Sequence, residues 1–203
     1  MSKARVRTHT NPFNFYQKLE PLKLNTIFDN PTQPLDLEIG FGKGVFLQHW
    51  AKLNPEHNVV GVEVRKGIVE IVKEEVNEKK VKNIHLIHNS GERVLEDCIS
   101  DNQLNSIFIF HPDPWLKKSH HKRRIIREDV LNLIEKKLKP GGKLYLSTDV
   151  DSLWEAMLEA LNKSTLMPVK DYHFWESTYT SHWDKFSKID QRSRNHGTWE
   201  KQV

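Results

Sequence analysis

The feature that most constrains this chain is an alternation. Between residues 35 and 163, apolar runs of strand length take turns with amphipathic stretches of helix length. LDLEI (35–39), NVVGVEV (58–64), NIHLIH (83–88), NSIFIF (105–110) and KLYLST (143–148) are the strand candidates. The spacing between them predicts helices from about 43 and from about 66, a short one near 91–98, and two more near 122–138 and 152–163. This alternation of strand and helix implies an α/β fold: a doubly wound, mostly parallel sheet with helices on both faces. Pro140, Gly141 and Gly142 read as the stop of a helix and the turn into strand five.

The flanks are less regular. Residues 1–12 carry Lys3, Arg5 and Arg7 with no acid, which reads either as a mobile basic arm or as an ordinary frayed terminus. A short helix is expected over 13–28, and residues 13–203 are expected to form a single domain. After residue 164, LMPVKDYHFW (166–175) and GTWEKQV (197–203) read as two final strands. The polar segment 176–196 between them is too long for an ordinary hairpin and is a candidate functional loop. The single cysteine, Cys98, excludes an internal disulfide and sits in an amphipathic stretch as a small buried residue. No long apolar span or signal-like segment is visible, so a cytoplasmic protein without membrane contact is expected.

The first strand runs directly into Gly40, Gly42 and Gly44. In open parallel sheets ligands bind beyond the carboxyl ends of the strands, and glycines there let a ligand approach the backbone. A dinucleotide site wants G-x-G-x-x-G, whereas here Val45 stands where the third glycine belongs. Glu38, two residues before the first glycine, is badly placed beside phosphates and well placed beside a cation. S-adenosylmethionine has no phosphate and carries a sulfonium and an ammonium, so it fits better than a nicotinamide dinucleotide. Glu63 ends the second strand, where a carboxylate can accept from both ribose hydroxyls. Asn89 ends the third and can hydrogen-bond an adenine edge.

After the fourth strand comes His111-Pro112-Asp113-Pro114-Trp115, in which two prolines stiffen a backbone holding an acid beside an indole. That pair suits a flat heteroaromatic substrate. Lys117, Lys118, His120, His121, Lys122, Arg123, Arg124 and Arg127 follow with no acid before Glu128. A solvated helix face normally mixes signs; a one-signed cluster beside a site is the footprint of phosphates. The chain's net charge of +4 agrees with a polyanionic partner. A zinc site from His111, His120 and His121 lacks paired ligand spacing, so no metal is expected.

These residues resemble the bacterial tRNA (guanine-N7)-methyltransferases over about 35–150, through EIGFGKG, GVEVR, the PDPW motif with its basic run, and STD. The resemblance implies the class I methyltransferase variant of the Rossmann-like fold with an antiparallel last strand, and S-adenosyl-L-methionine as cofactor. It implies a cofactor site at Glu38, Gly40, Gly42, Glu63 and Asn89, extending to Asp113, which it places at the catalytic centre. Lys117 and Asp149 become substrate contacts, with Lys118, Arg123 and Arg124 on tRNA phosphates. A C-terminal substrate motif maps onto Ser181-His182-Trp183-Asp184, with Ser181 and Asp184 as its contacts. His111, Leu116 and Ser119 depart from the family's usual residues. The competing readings are a methyltransferase acting on another RNA or nucleobase atom, and a noncatalytic RNA-binding relative. Monomer and homodimer both remain open.

Overall fold

β1 (Leu35–Ile39) is buried along its whole length, and its two carboxylates, Asp36 and Glu38, are buried with it. In the computed structural model, which describes residues 10–180, 182 and 193–202, this strand lies at the centre of a seven-stranded sheet. The others are β2 (Asn58–Glu63), β3 (Ile84–His88), β4 (Leu104–Phe110), β5 (Leu138–Thr148), β6 (Met167–Val169) and β7 (Asn195–Glu200). Their spatial order is β3-β2-β1-β4-β5-β7-β6. β1 pairs in parallel with β2 and with β4, and β7 alone runs antiparallel to its neighbours. The chain therefore winds outward from β1 to β3 and returns to start again at β4, leaving a crevice at the carboxyl ends of β1 and β4.

Among the described residues, the α-helices that flank the sheet are α1 (Leu24–Ile27), α2 (Val45–Leu53), α3 (Lys66–Glu78), α4 (Gly91–Asp97), α5 (Glu128–Lys137) and α6 (Asp151–Leu161). Period-two alternation along the central strands distributes them over two faces. Ile107 and Ile109 point into the larger core with Val94, Leu95, Leu131, Ile134 and Leu153 from α4, α5 and α6. Phe41, Leu47 and Ala51 meet Val69, Val72 and Val76 on the opposite face, under α2 and α3. The alternate residues of β4, Phe108 and Phe110, join Phe46, Tyr145 and Phe174 in an aromatic cluster. There the segment around Phe174 covers the sheet. α5 carries Glu128 and Asp129 in its first turn and Lys136 and Lys137 in its last, matching its dipole at both ends.

Asp36 ties the amino ends of the central strands to the carboxyl end of α2. Trp50 Nε1–H donates to its Oδ2 at 2.8 Å, His57 Nδ1 lies 2.6 Å from the same oxygen, and Asn105 Nδ2 donates to Oδ1 at 3.2 Å. α2, the turn into β2, and β4 are thereby pinned to one buried acid. The carboxylate holds the His57 imidazolium in place, raising its pKa above the ordinary value.

Four local expectations need correction. Residues 13–28 do not form one helix: a 3-10 turn at Pro12–Asn14 and the single turn α1 are separated by irregular chain. Pro12 and Pro21 remove backbone donors, and Leu22 N–H instead bonds Cys98 O at 3.1 Å. The helix expected over 122–138 begins only at Glu128, because residues 118–123 make a 3-10 turn followed by extended chain. β5 starts at Leu138, ahead of the glycines, with the helix already stopped at Lys137; Gly141 at φ +74° absorbs the irregularity. The strand expected over 166–175 shrinks to Met167–Val169, and Phe174–Thr178 turns into a wide helical turn that inserts Phe174 into the aromatic cluster.

Candidate active site

The crevice at the switch point opens into a cavity of about 470 Å³. Glu38, Gly40, Gly42, Glu63, Asn89 and Asp113, each named from the sequence as a cofactor residue, all line it. Asp149, Arg123 and His182 line the same cavity. Lys117 and Lys118 stand on the exposed loop beyond it, and Ser181 and Asp184 lie outside the described residues.

Gly40, Gly42 and Gly44 all have positive φ, +79°, +53° and +65°. These are left-handed conformations that side-chain-bearing residues rarely adopt, and they double the chain back from β1 into α2 with no Cβ at these three positions. At Gly44 a Cβ would also meet Val72 Cγ1 at 2.7 Å. The loop thus delivers the N-terminus of α2 to the pocket and leaves its backbone bare to a ligand.

Glu38 is the site's electrostatic anomaly. It is 3 % exposed, and its Oε2 has no hydrogen-bond partner. Burial, and then the charge of Glu63, push its pKa up to about 8, while a hydrogen bond from the Leu47 backbone at the start of α2 pulls the other way. A buried acceptor without a donor is costly, and a cationic group bound in the cavity would remove that cost. The residues present therefore fit the ammonium-bearing end of S-adenosylmethionine.

Glu63, by contrast, is saturated. Gly42 N–H donates to Oε2 at 3.1 Å and Arg65 N–H to Oε1 at 3.1 Å. The Arg65 guanidinium adds Nε to Oε1 at 2.9 Å and Nη2 to Oε2 at 2.8 Å. Asn89 Oδ1 accepts from Ser90 N–H at 2.9 Å, which folds the amide at the end of β3, and Ser90 Oγ then caps α4 by accepting from Arg93 N–H.

The wall contributed by the HPDPW loop is held in strained backbone. His111 and Trp115 adopt φ of +48° and +44° without being glycines. They bracket Asp113, which is exposed, between the two prolines. His111 is fixed from three directions: its N–H bonds Ser147 O at 2.8 Å, Nδ1 lies 3.4 Å from Asp149 Oδ1, and Nε2 lies 3.0 Å from Tyr179 Oη. Tyr179 in turn lies 2.8 Å from Ser147 Oγ, so the C-terminal segment reaches the HPDPW wall of the pocket through this network. Arg124 Nε donates to Pro114 O at 2.9 Å, which turns one member of the basic run inward to brace the loop. Arg123 lies over the Trp115 ring at 5.1 Å.

Several residues of the site had no role assigned from the sequence. Arg65 is among them, although an arginine two residues beyond a strand-end acid is a visible signal. Thr10 and Pro12 also line the cavity; Arg127, named from the sequence only as part of the basic run, lines it too and pairs with Glu92 at 2.7 Å. Cys98 is buried, with its thiol pushed up to about 11 by burial. Among the described residues, no group of three His, Cys, Asp or Glu is placed to hold a metal, and no helix is long and apolar enough to cross a membrane.

Comparison with known proteins bears on this geometry. The family model described as "Putative methyltransferase" matches residues 32–202. A tRNA (guanine-N(7)-)-methyltransferase of Pasteurella multocida is 32 % identical, with the match covering 98 % of this chain and 78 % of the relative. Its counterpart in Mannheimia succiniciproducens is 35 % identical over 83 % of this chain and 68 % of its own length. For the Shewanella frigidimarina enzyme, 40 % identical over 70 % of this chain, the match spans only 60 % of the relative's length. Among solved structures, the 16S rRNA methyltransferase KamB superposes with a TM-score of 0.63 at 14 % identity, covering 93 % of this chain and 98 % of that one. A SAM-dependent methyltransferase from Aquifex aeolicus gives 0.51 at 19 % identity, over 68 % and 74 %. These structures share the sheet order's class I methyltransferase fold. With its glycine loop, its strand-end carboxylates and this extent of sequence likeness, the chain belongs to the tRNA (guanine-N7)-methyltransferase family.

Proposed function

We propose that this chain transfers the methyl group of S-adenosyl-L-methionine to N7 of a guanine in the variable loop of tRNA, giving 7-methylguanosine and S-adenosyl-L-homocysteine. The observation that carries the reading is the buried, unpartnered Oε2 of Glu38 in the same cavity as Asp113. One end of the cavity asks for a cation, and the other offers a carboxylate beside an indole and a basic loop.

In this reading Glu38 receives the ammonium of the methionyl group, the bare backbone of Gly40 and Gly42 lies against it, Glu63 accepts from the ribose and Asn89 from adenine. Bound there, the cofactor supplies a methyl group made electrophilic by the sulfonium. Guanine N7 has an in-plane lone pair and no proton, so no side chain has to act as a general base. Alignment then supplies most of the rate, a contribution worth about 7 to 11 kcal/mol when the geometry is good. Asp113 stabilises the positive charge that develops on the purine and accepts from the guanine N1 and N2 hydrogens, with Asp149 as a second anchor. Strained backbone on either side of Asp113 keeps it from relaxing away from the base.

The base is turned out of the tRNA fold to reach the pocket, with Trp115 as stacking partner. Lys117 and Lys118, together with Arg123, take phosphates, and Ser181 and Asp184 complete the substrate contacts. The reaction belongs to the cytoplasm, where tRNA is available. Residues 13–203 act as one methyltransferase domain behind a basic arm.

The test is direct. The purified chain is incubated with unmodified tRNA and methyl-labelled cofactor, and the RNA is digested to nucleosides. Label in 7-methylguanosine is the expected result. Label in a different nucleoside would move the activity to another atom, and no transfer despite cofactor binding would make the chain a noncatalytic RNA binder.

A further inference from the structure

A side chain on left-handed backbone is costly, and His111 sits at φ +48° with its side chain only 7 % exposed. Such strain persists where the surroundings over-determine a residue, and at His111 both ring nitrogens are engaged. Nδ1 lies 3.4 Å from Oδ1 of Asp149, the residue that follows β5, and Nε2 lies 3.0 Å from Tyr179 Oη on the C-terminal segment. The His111 N–H bonds Ser147 O at 2.8 Å and carries the pairing of β4 with β5 one step past Phe110, so the root of the ring is fixed as well.

The donors order themselves in one direction. A carboxylate only accepts, so Nδ1–H donates to Asp149 and Nε2 is left to accept from the Tyr179 hydroxyl. The Tyr179 oxygen then accepts from Ser147 Oγ–H at 2.8 Å. Tyr179 is steadied by ring contacts with Phe110 at 4.8 Å and Trp175 at 5.0 Å, and it stands two residues before Ser181. One imidazole therefore joins the HPDPW wall, the acid beyond β5 and the segment that leads into 181–184. His111 and Asp149 both line the cavity.

We propose that His111 is a positioning residue with two separable tasks. Through Nδ1 it aims the Asp149 carboxylate at the substrate base, and through Nε2 it holds Tyr179 and the chain beyond it against the same wall. Asp149 sets the alignment of the base for transfer, whereas the C-terminal segment adds contacts to the tRNA. The inference rests on the reading of Asp149 as an anchor for the base, and the experiment tells the two apart.

Steady-state kinetics with unmodified tRNA and methyl-labelled S-adenosylmethionine would compare the full wild-type chain with His111→Gln, His111→Asn, His111→Phe and Asp149→Asn. Glutamine sets its amide near the place of Nε2 and keeps Tyr179 but not Asp149, so kcat should fall roughly tenfold with KM for tRNA held. Asparagine sets its amide near the place of Nδ1 and keeps Asp149 but not Tyr179, so KM for tRNA should rise about fivefold with kcat held. Phenylalanine keeps a ring and neither contact, and should show both changes. The same loss in Gln and Asn alike would make His111 a filler of space and overturn the proposal. Wild-type values for both, with Asp149→Asn impaired, would overturn it too and leave the reading of Asp149 standing. Asp149→Asn at wild-type values would overturn that reading and the proposal together. Should the His111 variants fail to fold, nitrogen-15 spectra of the wild-type histidine rings carry the test, with the His111 signals identified by their response to Tyr179→Phe. An Nδ1–H tautomer is expected, and an Nε2–H tautomer overturns the link to Asp149.

Discussion

The two ends of β1 hold their acids differently. Asp36 and Glu38 lie two residues apart, so they share a face of the strand, and both are buried. Asp36, at the amino end, has donors from Trp50 and Asn105 and a close contact with His57; Glu38, at the carboxyl end, keeps an oxygen with no partner. Satisfied buried acids are architecture, and an unsatisfied one marks a place the fold leaves for something else. The same division runs through the molecule. The amino ends of the strands close on themselves, while the carboxyl ends carry Glu38, Glu63, Asn89 and Asp113 around an open cavity.

The comparison breaks most visibly at Asp113. Asp113→Ala should lower methyl transfer by roughly a hundredfold or more, the scale expected for a group that acts on charge developed in the transition state. Because the side chain is exposed, urea unfolding should show almost no change. A variant that keeps wild-type turnover but unfolds at clearly lower urea would place Asp113 with the architecture instead.

Asp36→Ala tests the opposite end. It strips buried donors on Trp50 and Asn105 of their acceptor and should cost about 3 kcal/mol in urea unfolding. Affinity for S-adenosylhomocysteine should stay at the wild-type value, since nothing that lines the cavity is touched. A matching loss of affinity would show that the two ends are not separable.

Glu38→Gln sharpens the contrast through pH. The folded Glu38 keeps its proton up to about pH 8, far above the unfolded chain. Its contribution to stability is therefore full below the ordinary glutamate range and is lost as pH rises through 8. His57 behaves with the same sign, losing its contribution as pH rises through its raised pKa. The protein should thus soften between about pH 4.5 and 8 in thermal melts. Glu38→Gln should remove the Glu38 part of that softening and match wild type most nearly below about pH 4.5, where the carboxyl is protonated in folded and unfolded chain alike. At the alkaline end it should also lose about tenfold to a hundredfold in affinity for S-adenosylhomocysteine, because the charged hydrogen bond to the ammonium is gone. Titration curves that superimpose with wild type would remove Glu38 from the site.

The smallest effect separates members of the basic run. Lys118→Ala should lower the slope of log affinity for tRNA against log salt by about 0.7 to 0.9, one phosphate contact. Arg124→Ala, which loses its bond to Pro114 O, should affect turnover more than that slope. Equal slopes for both variants would put Arg124 on the phosphates after all.

Much of the cavity's lining was readable in the chain because its signals are local. A strand of period two ending in glycines, or an acid locked between two prolines, is written in consecutive residues. The cofactor residues named from the sequence all line the cavity for that reason. The basic run was legible as charge but not as shape: a 3-10 turn and extended chain replace the expected helix, and Arg124 faces inward. Composition carries the sign of a field, whereas the direction of each side chain depends on what the loop packs against. The strand expected over 166–175 failed on the same ground, because burial of Phe174 among Phe46, Phe108 and Tyr145 outweighed the local β propensity.

By itself the sequence determined the alternation of strands and helices, the bare loop after β1, and the presence of acids at successive strand ends. Those follow from periodicity and backbone stereochemistry, which act over a few residues. Only the tertiary structure decided which acids are satisfied. The partners of Asp36 lie 14, 21 and 69 residues away, and His111 meets Tyr179 across 68. Strand order brings those groups within hydrogen-bonding distance and leaves Glu38 with none at Oε2. A hydrogen bond is a property of positions in space, and along the chain no pattern records it.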